Sequence, residues 1–483
     1  MTQPLWTVAE MAQAMHATQS GQPPEAVTGL SIDSRTVRPG EAYFAIKGDV
    51  HDGHDFVAAA LEAGAALAVV DEAHRHECPA NAPLLVVPDV LDGLRMLARA
   101  GRARLAGQVV AVTGSVGKTS TKEMLRHVFA AQGVTHASVA SFNNHWGVPL
   151  SLARCPQDAA YAVFEIGMNH AGEIEPLVRM VRPHAAIVTT VEPVHLEFFG
   201  SVEAIADAKA EIFTGLEPGG VAILNADNGQ FARLREKARA AGVTRIVTFG
   251  AGEAADARLI DVALQPASSA VHARILDHDA TYKLGMPGRH MAMNSLAVLA
   301  TVSLCRADLA LAALSLAQLS PPAGRGARRR LDVGGGGAIL IDESYNANPA
   351  SMAAALGVLG RAELGERGRR IAVLGDMLEL GPEGPDLHRG LAAAVTGNNV
   401  DAVFCCGPLM RHLWEALPSS RRGGYADHAA ALESQVVGAV HAGDAVMVKG
   451  SLGSRMKGIV TALEKRFPAQ AARDDVTAQG KPR

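Results

Sequence analysis

"VVAVTGSVGKTST", residues 109–121, is the stretch on which the reading of this chain turns. Val109 to Thr113 form a short β-branched apolar run, the kind found in strands buried on both faces of a parallel sheet. Just beyond it, "STKEMLRHVFAAQ" places Met124, Leu125, Val128 and Phe129 at helical spacing. Gly114, Ser115, Val116, Gly117 and Lys118 therefore join a strand to a helix N-terminus, where free backbone N–H groups and the helix dipole favour an anion. Lys118 offers a point charge for terminal phosphates, and Thr119, followed by Ser120, a hydroxyl able to ligate magnesium. The usual Gly-x-x-x-x-Gly-Lys-Ser/Thr pattern asks for a glycine six residues before Lys118, and Val112 stands there. The loop alone reads either as a different kind of phosphate cradle or as a glycine-rich turn with a solvated lysine.

A chain of 483 residues exceeds what one hydrophobic core usually supports, so two or three domains are expected. Hydrophobic residues at 48% and charged residues at 19% exclude an intrinsically disordered chain. A formal net charge of -4 gives no electrostatic reason to expect nucleic acid or an anionic membrane as partner. No apolar run reaches the roughly 18–20 residues that span a bilayer, and "MTQPLWTVAEMAQAM" lacks the basic and apolar regions of a secretory signal. The expectation is a soluble, cytoplasmic monomer. Five cysteines are too few and too scattered for a disulfide framework, and the pair in "AVFCCG" (Cys405, Cys406) reads as small hydrophobes. "HRHEC" (74–78) reads as a solvated loop rather than a metal site, and "HDGHDF", with Asp52 and His54, as a polar turn.

Outward from the loop, short apolar runs recur at 161–167, 185–191, 220–227 and 245–250, with helical stretches between several of them. That alternation predicts a parallel sheet with helices on its faces. Residues 270–286 alternate with period two and predict antiparallel strands appended to the sheet. Residues 1–87 mix short strands, turns and a helix, and form a separate first domain in this reading. "LSPPAGRGARRR" (319–330) has a linker's composition. After it, "AILIDES", "RIAVLGD", "AVFCCG" and "AVMVKGS" predict a Rossmann-like third domain. The expected division is 1–87, 88–320 and 321–466, with 467–483 a disordered tail.

"VFEIGMNH" sets Glu165 at the C-terminal end of an apolar strand, the edge where open α/β sheets bind ligands. A carboxylate there can hold magnesium beside phosphates; a capping or solvated role fits the local sequence equally well. His195 follows another strand end, and Lys209 lies in a helical pattern, positions that by themselves carry no chemistry.

These motifs, with "SFNNHWGVPLSL", "FEIGMNHAGEI", "VHLEFFGS", "ADAKAEIF", "GRHMAMNSLAVLA", "IDESYNANPASM", "VLGDMLELG" and "VKGSLGSRM", occur in the order seen in Mur ligases, and residues 28–460 resemble that family. The family's phosphate loop is shortened to Gly-x-x-Gly-Lys-Thr/Ser, so Val112 belongs to the strand. "SYNANP" with "GDMLELG" resembles the branch that adds D-alanyl-D-alanine to UDP-N-acetylmuramoyl-tripeptide, and other muramyl or folylpolyglutamate ligases are expected to lack them.

The resemblance implies a mixed α/β nucleotide-sugar domain, a central P-loop-type domain and a Rossmann-like domain. It implies ATP-dependent amide formation through an acyl phosphate, with Lys118 on the transferring phosphoryl group and Thr119 and Glu165 on one magnesium. His195 and a carbamylated Lys209 would serve a second magnesium. A free lysine is a cation with no acceptor, whereas a carbamate offers anionic oxygens suited to the metal. His290 and Asn294 match the family's segment near the adenine, although Met291 replaces the asparagine often found there. Asp342, Tyr345, Asn346 and Asn348 would reach ATP from the third domain. Ser34, Arg35 and Thr36 would contact the uridine nucleotide, and Asn143 and Asn144 the substrate near the cleft. Apart from the resemblance, Lys449, Ser451 and Arg455 lie at a strand end of the third domain, where they are expected to meet the incoming dipeptide carboxylate. A binding protein that closes on ATP without ligation would be expected to lose a metal ligand or the lysine, yet Glu165, His195 and Lys209 are all present.

Overall fold

The computed structural model of the chain describes residues 4–139, 142–334 and 336–468; the expected tail, apart from its first two residues, lies outside the described residues. Gln108–Thr113 is the strand at which the largest sheet reverses its order. The sheet has nine strands: Thr135–Ala137, Tyr161–Glu165, Gln108–Thr113, Ala185–Val188, Val221–Asn225, Arg245–Gly250, Ala257–Leu264, Ser269–Ile275 and His278–Leu284. All neighbouring pairs run parallel up to Ala257–Leu264, and the last two strands are antiparallel. The chain leaves Gln108–Thr113 toward one edge, returns beside it with Tyr161–Glu165, then crosses to its other side. A crevice opens at the carboxyl end of such a switch point. Register pairs Glu165 with Val112 and Val188 with Thr113, so both neighbours end beside the glycine loop.

Val109 to Val112 are buried on both faces, as their unbroken apolar run requires. On one side Met124, Leu125, Val128 and Phe129 pack with Leu296 and Leu299 of the helix Arg289–Leu304. The appended hairpin alternates as its sequence reads: Val271, Ala273 and Ile275 point inward between exposed neighbours.

The first strands form a five-stranded sheet ordered Thr18–Ser20, Leu84–Val87, Leu67–Asp71, Glu41–Phe44 and Gly29–Ser31, antiparallel only at the first pair. One of its faces shares a continuous core with the nine-stranded sheet: Met11, Leu30, Leu85, Leu97, Phe164 and Ile212 belong to a single cluster. Trp6 fastens this junction, donating its Nε1–H to the Ala153 carbonyl at 2.8 Å under the Arg104 guanidinium, 3.3 Å above its ring.

"HDGHDF" folds as a polar turn whose parts are all engaged. Asp52 caps the turn Gly53–Phe56 and accepts from His54 N–H at 3.0 Å and Nδ1 at 2.6 Å, while His54 Nε2 accepts from the Asp71 amide. "HRHEC" is a largely exposed loop as expected, with the His74 side chain 28% exposed; its ring stacks on His54 with centroids 4.1 Å apart and its Nδ1 donates to Asp71 at 2.7 Å. Asp52, His54 and His74 present possible metal-ligand atoms within 4.8 Å of one another, and these hydrogen bonds account for the cluster without an ion.

The third sheet has six strands in the order Ala327–Val333, Gly336–Glu343, Ala445–Lys449, Arg370–Gly375, Ala402–Cys406 and Arg422–Ala426, and only the first pair is antiparallel. The basic end of the linker-like stretch is thus an edge strand. Cys405 and Cys406 are buried free thiols in this sheet. The whole is an α/β chain of mostly parallel sheets with appended antiparallel strands, as the sequence predicts. Among the described residues, no helix is long and apolar enough to cross a membrane.

Replacing Trp6 by Ala removes a buried indole, its hydrogen bond and the stacked arginine together. The expected loss is about 3–5 kcal/mol, read as a lowered denaturant midpoint for the transition that unfolds the first two sheets.

Candidate active site at the switch point

The loop at the end of Gln108–Thr113 is shaped by its two glycines. Gly114 has φ 144°, and a Cβ there would sit 1.9 Å from Thr189 Oγ1. Gly117 has φ 87°, and a Cβ would sit 2.7 Å from Asn294 Nδ2. Thr189 Oγ1 donates to the Val116 carbonyl at 2.6 Å, and the Ser115 amide donates to the Thr190 carbonyl at 2.8 Å. Ser115 Oγ donates to the Glu192 carbonyl and accepts from the Glu192 amide. The next strand's end therefore holds the loop, while Gly117, the N-cap of Lys118–Ala130, supplies no side-chain cap. The first amides of that helix are left to an anion.

Lys118 Nζ donates to the Gly114 carbonyl at 2.7 Å and so curls over the loop. Thr119 Oγ1 donates to Glu165 Oε2 at 2.9 Å, and Asn143 Nδ2 to Glu165 Oε1 at 2.8 Å. Glu165 is 1% exposed, and among the described residues no cationic side chain forms an ion pair with it. A buried carboxylate held only by neutral donors fits a cation. Burial, and secondarily the nearby Arg325 charge, hold the Lys118 ammonium below the ordinary lysine range against the opposing pull of Glu165. Lys209, in the helix Val202–Ala210, is held well below that range by burial first and the Lys118 charge second. Burial likewise lowers His195 and His290.

A cavity of about 560 Å³ opens above the loop. Ser115, Val116, Gly117, Lys118, Thr119, Ser120, Asn143, Glu165, His195, His290 and Asn294 line it from the nine-stranded sheet, and Tyr345, Asn346, Asn348 and Lys449 from the third. Gly114, Lys209 and Asn144 do not line it, and Asn144 spends its Oδ1 on the Trp146 and Gly147 amides. "SYNANP" reaches the cavity because the strand Gly336–Glu343 ends there and Asn348 caps the next helix with Pro349 in its first turn.

Asp342 does not line the cavity. Its Oδ2 accepts from Lys457 Nζ at 2.8 Å and the Gly324 amide at 3.1 Å, and its Oδ1 from Ser344, so it fastens the linker to the third sheet. The neighbouring Glu343 lines the cavity instead, paired with Lys449 Nζ at 3.3 Å. Ser451 Oγ is taken up by the Leu378 amide and Ala347 carbonyl, and Arg455 is exposed on a separate crevice with Asp376 and His428. The dipeptide trio of the sequence reading is therefore not brought together. Of the linker arginines, Arg325 is the one on the cavity wall, its guanidinium 4.2 Å over the Tyr345 ring. The flanking Gly324 and Gly326, at φ 73° and 99°, were the sequence signal for the turn that aims it. Thr189 carried none, since a threonine at a strand end is ordinary.

A second groove of about 1200 Å³ runs between the five-stranded sheet and the nine-stranded one, lined by Ser31, Asp33, Thr36 and Arg38 on one side and Phe142 and Arg154 on the other. Thr36 faces it, whereas Ser34 lies off the wall and Arg35 points to solvent, chelated by Asp33 at 2.7 and 2.9 Å. Arg154 bridges the two sides by donating to the Leu30 carbonyl at 2.8 Å.

Profiles of the Mur ligase middle domain, the Mur ligase glutamate ligase domain and the Mur ligase family catalytic domain match residues 112–302, 329–452 and 26–104. The chain is 34% identical to the UDP-N-acetylmuramoyl-tripeptide--D-alanyl-D-alanine ligase of Escherichia coli (strain K12), over 90% of this chain and 93% of that one. It is 32% identical to the enzyme of the same name from Bacillus subtilis (strain 168), over 95% and 98%. Among solved structures, MurF from Acinetobacter baumannii superposes with a TM-score of 0.82 at 28% identity, covering 96% of this chain and 99% of that one. MurF ligase from Thermotoga maritima, solved with ADP, superposes with a TM-score of 0.74 at 27% identity, covering 91% and 97%. The cradle, the carboxylate beside it and the facing "SYNANP" loop thus sit in a chain whose relatives match it nearly end to end: it belongs to the Mur ligase family.

Proposed function

We infer that this chain is an ATP-dependent ligase that joins D-alanyl-D-alanine to UDP-N-acetylmuramoyl-tripeptide, giving the pentapeptide nucleotide used in peptidoglycan synthesis. The observation that carries the reading is one cavity in which Lys118, Thr119 and Glu165 face Tyr345, Asn346 and Lys449. ATP and a carboxylate acceptor can meet there only if both sheets contribute.

In this reading residues 1–87 hold the uridine nucleotide, with Thr36 and Arg38 on the groove; 88–320 hold ATP; and 321–466 close over both. The loop amides from Ser115 to Ser120 wrap the phosphates, and Lys118 neutralises charge as the γ-phosphoryl passes to the tripeptide carboxylate. The bond from the γ-phosphorus to its bridging oxygen breaks and one to the carboxylate oxygen forms, leaving ADP and an acyl phosphate. The dipeptide amine then attacks the acyl carbon, gives up a proton, and phosphate departs. No side chain forms a covalent bond, so the protein's work is positioning and charge. Thr119 and Glu165 would hold magnesium, which would supply charge neutralisation for the phosphates, and His195 with Lys209 would hold a second ion.

Burial beside Lys118 makes an ammonium at Lys209 costly. Its neutral amine adds to carbon dioxide, releasing one proton and leaving a carbamate that suits a cation better. His290 and Asn294 flank the adenine beside Met291, and Arg325 over Tyr345 faces the phosphates. The substrate is a soluble nucleotide, and we place the enzyme in the cytoplasm as a monomer.

Phosphate release by the purified chain with magnesium and ATP is expected to require both the tripeptide nucleotide and D-alanyl-D-alanine, with the pentapeptide nucleotide detected by mass. Release without the dipeptide would sink the reading. Lys118→Ala and Glu165→Gln are each expected to lower kcat by about 10²–10³, with the circular dichroism spectrum unchanged. Isotopically labelled bicarbonate is expected to give a carbamate resonance that disappears in Lys209→Ala; an unlabelled wild-type chain would refute the modification.

A further inference from the structure

His195 is reached from the third sheet. Glu379, in the "GDMLELG" loop that follows Arg370–Gly375, accepts a hydrogen bond from His195 Nδ1 through Oε2. A second contact lies beside it: the Glu197 amide donates to the Glu379 carbonyl at 3.4 Å. Gly381, at φ 61°, lies alongside the same backbone, where a Cβ would be in van der Waals contact with Glu197 Cα at 3.4 Å. Both partners of the pair hold left-handed backbone conformations, His195 at φ 56° and Glu379 at φ 64°. Each is disfavoured for a residue with a Cβ and persists only where its surroundings impose it. A surface ion pair at random would not require two such residues facing each other across two sheets.

The chemistry of imidazole gives the pair its meaning. A carboxylate that accepts the hydrogen bond from Nδ1–H fixes the tautomer, so the Nε2 lone pair is the one left free. His195 lines the cavity that holds Lys118, Thr119 and Glu165, so the nitrogen left free is carried by a residue of that site. Ligand histidines are commonly oriented in this way by a carboxylate on the other ring nitrogen. Here the carboxylate comes from a different sheet than the histidine. Glu379 belongs to the "GDMLELG" run, and its side chain is 45% exposed.

We propose that Glu379 is a positioning residue for His195, making the histidine a competent metal ligand only when the third sheet is docked. This rests on the ligase reading of the cavity and adds to it a coupling: the site's second cation seat is completed by the same contact that closes the enzyme. ATP bound to the open form lacks that seat, which ties phosphoryl transfer to closure.

The test compares Glu379→Ala, Glu379→Gln and, as a charge control, the nearby exposed Glu383→Ala in the full chain. Manganese is titrated by electron paramagnetic resonance in the presence of a non-hydrolysable ATP analogue and the tripeptide nucleotide. Glu379→Ala is expected to weaken the weaker manganese site ten-fold or more and leave the tighter one unchanged. In the ligation assay it is expected to lower kcat with little change in KM for ATP. Glu379→Gln, whose amide oxygen still accepts from Nδ1, is expected to recover most of both, and Glu383→Ala to match wild type. Equal manganese affinities and kcat in wild type and Glu379→Ala would overturn the proposal. So would equal losses in Glu383→Ala, since those would mark a general charge effect. A wild-type chain without dipeptide-dependent ligation would instead overturn the underlying reading, an outcome visible before any variant is compared.

Discussion

The structure depends on a loop that has no cap of its own. Gly117 opens the helix Lys118–Ala130 without a side chain to satisfy its first amides, so the donors a phosphate needs exist only if something else holds the turn. Thr189 and Thr190 do this from the adjacent strand end, through the Val116 carbonyl and the Ser115 amide. Their grip is tight enough to forbid any side chain at position 114. Parallel pairing of Ala185–Val188 with Gln108–Thr113 sets the register that puts those threonines there. The sheet thus fixes the loop before ligand arrives, and preorganised donors of this kind cost little to bring to a developing charge.

The electrostatics around that loop are unbalanced by design of the fold. Burial first, and the Arg325 charge in the same direction, depress the Lys118 ammonium against the pull of Glu165, and burial followed by the Lys118 charge depresses Lys209. Cations gathered in a partly closed cavity await anions, and a polyphosphate with bound metal supplies them. Burial first, and the Lys118 charge second, leave Lys209 ill suited to remain an ammonium. Two of the wall's three carboxylates differ in their partners. Glu165 has only neutral hydrogen-bond donors and suits a cation, whereas Glu343 is already paired with Lys449.

Much of this was legible in the sequence. A continuous apolar run, a glycine turn and a helical pattern required a strand–loop–helix at 109–130, and the period-two alternation after 270 required the hairpin. Asn348 before Pro349 declared a helix start, and that start delivers "SYNANP" to the cavity. What sequence could not give were side chains whose neighbours come from other sheets. Asp342 sits between a strand and the asparagine loop and looks functional, but Lys457, more than a hundred residues onward, claims it. Ser451 is claimed in the same way by backbone from two loops. Arg35 stands in a motif where its neighbours Thr36 and Arg38 face the groove, and an aspartate two residues before it takes its guanidinium outward. His74 lies in a loop as its sequence reads, but its stacking partner, twenty residues earlier on another element, left no local signal.

The placement of the cores decides which parts can move against one another. A single apolar cluster joins the first sheet to one face of the second, running from Trp6 to Val243, so those two sheets form one body. The third sheet keeps both of its clusters to itself, Leu331 to Phe467 on one side and Ile341 to Met447 on the other. Its connection to the rest is the segment from Leu319 onward. Asp342 holds the Gly324 amide by its side chain and the Gly326 amide by its carbonyl, so the linker is already fixed to the third sheet by residue 324. Arg325, stacked on Tyr345, therefore travels with that sheet rather than with the phosphate loop. The freedom left to the connection is confined to about residues 319–323, where Pro321 and Pro322 narrow it further. A short, stiff joint of this kind permits a rotation of the third sheet over the cavity but little sliding. It delivers Arg325, Tyr345, Asn346, Lys449 and Glu379 to the phosphate loop as one rigid set.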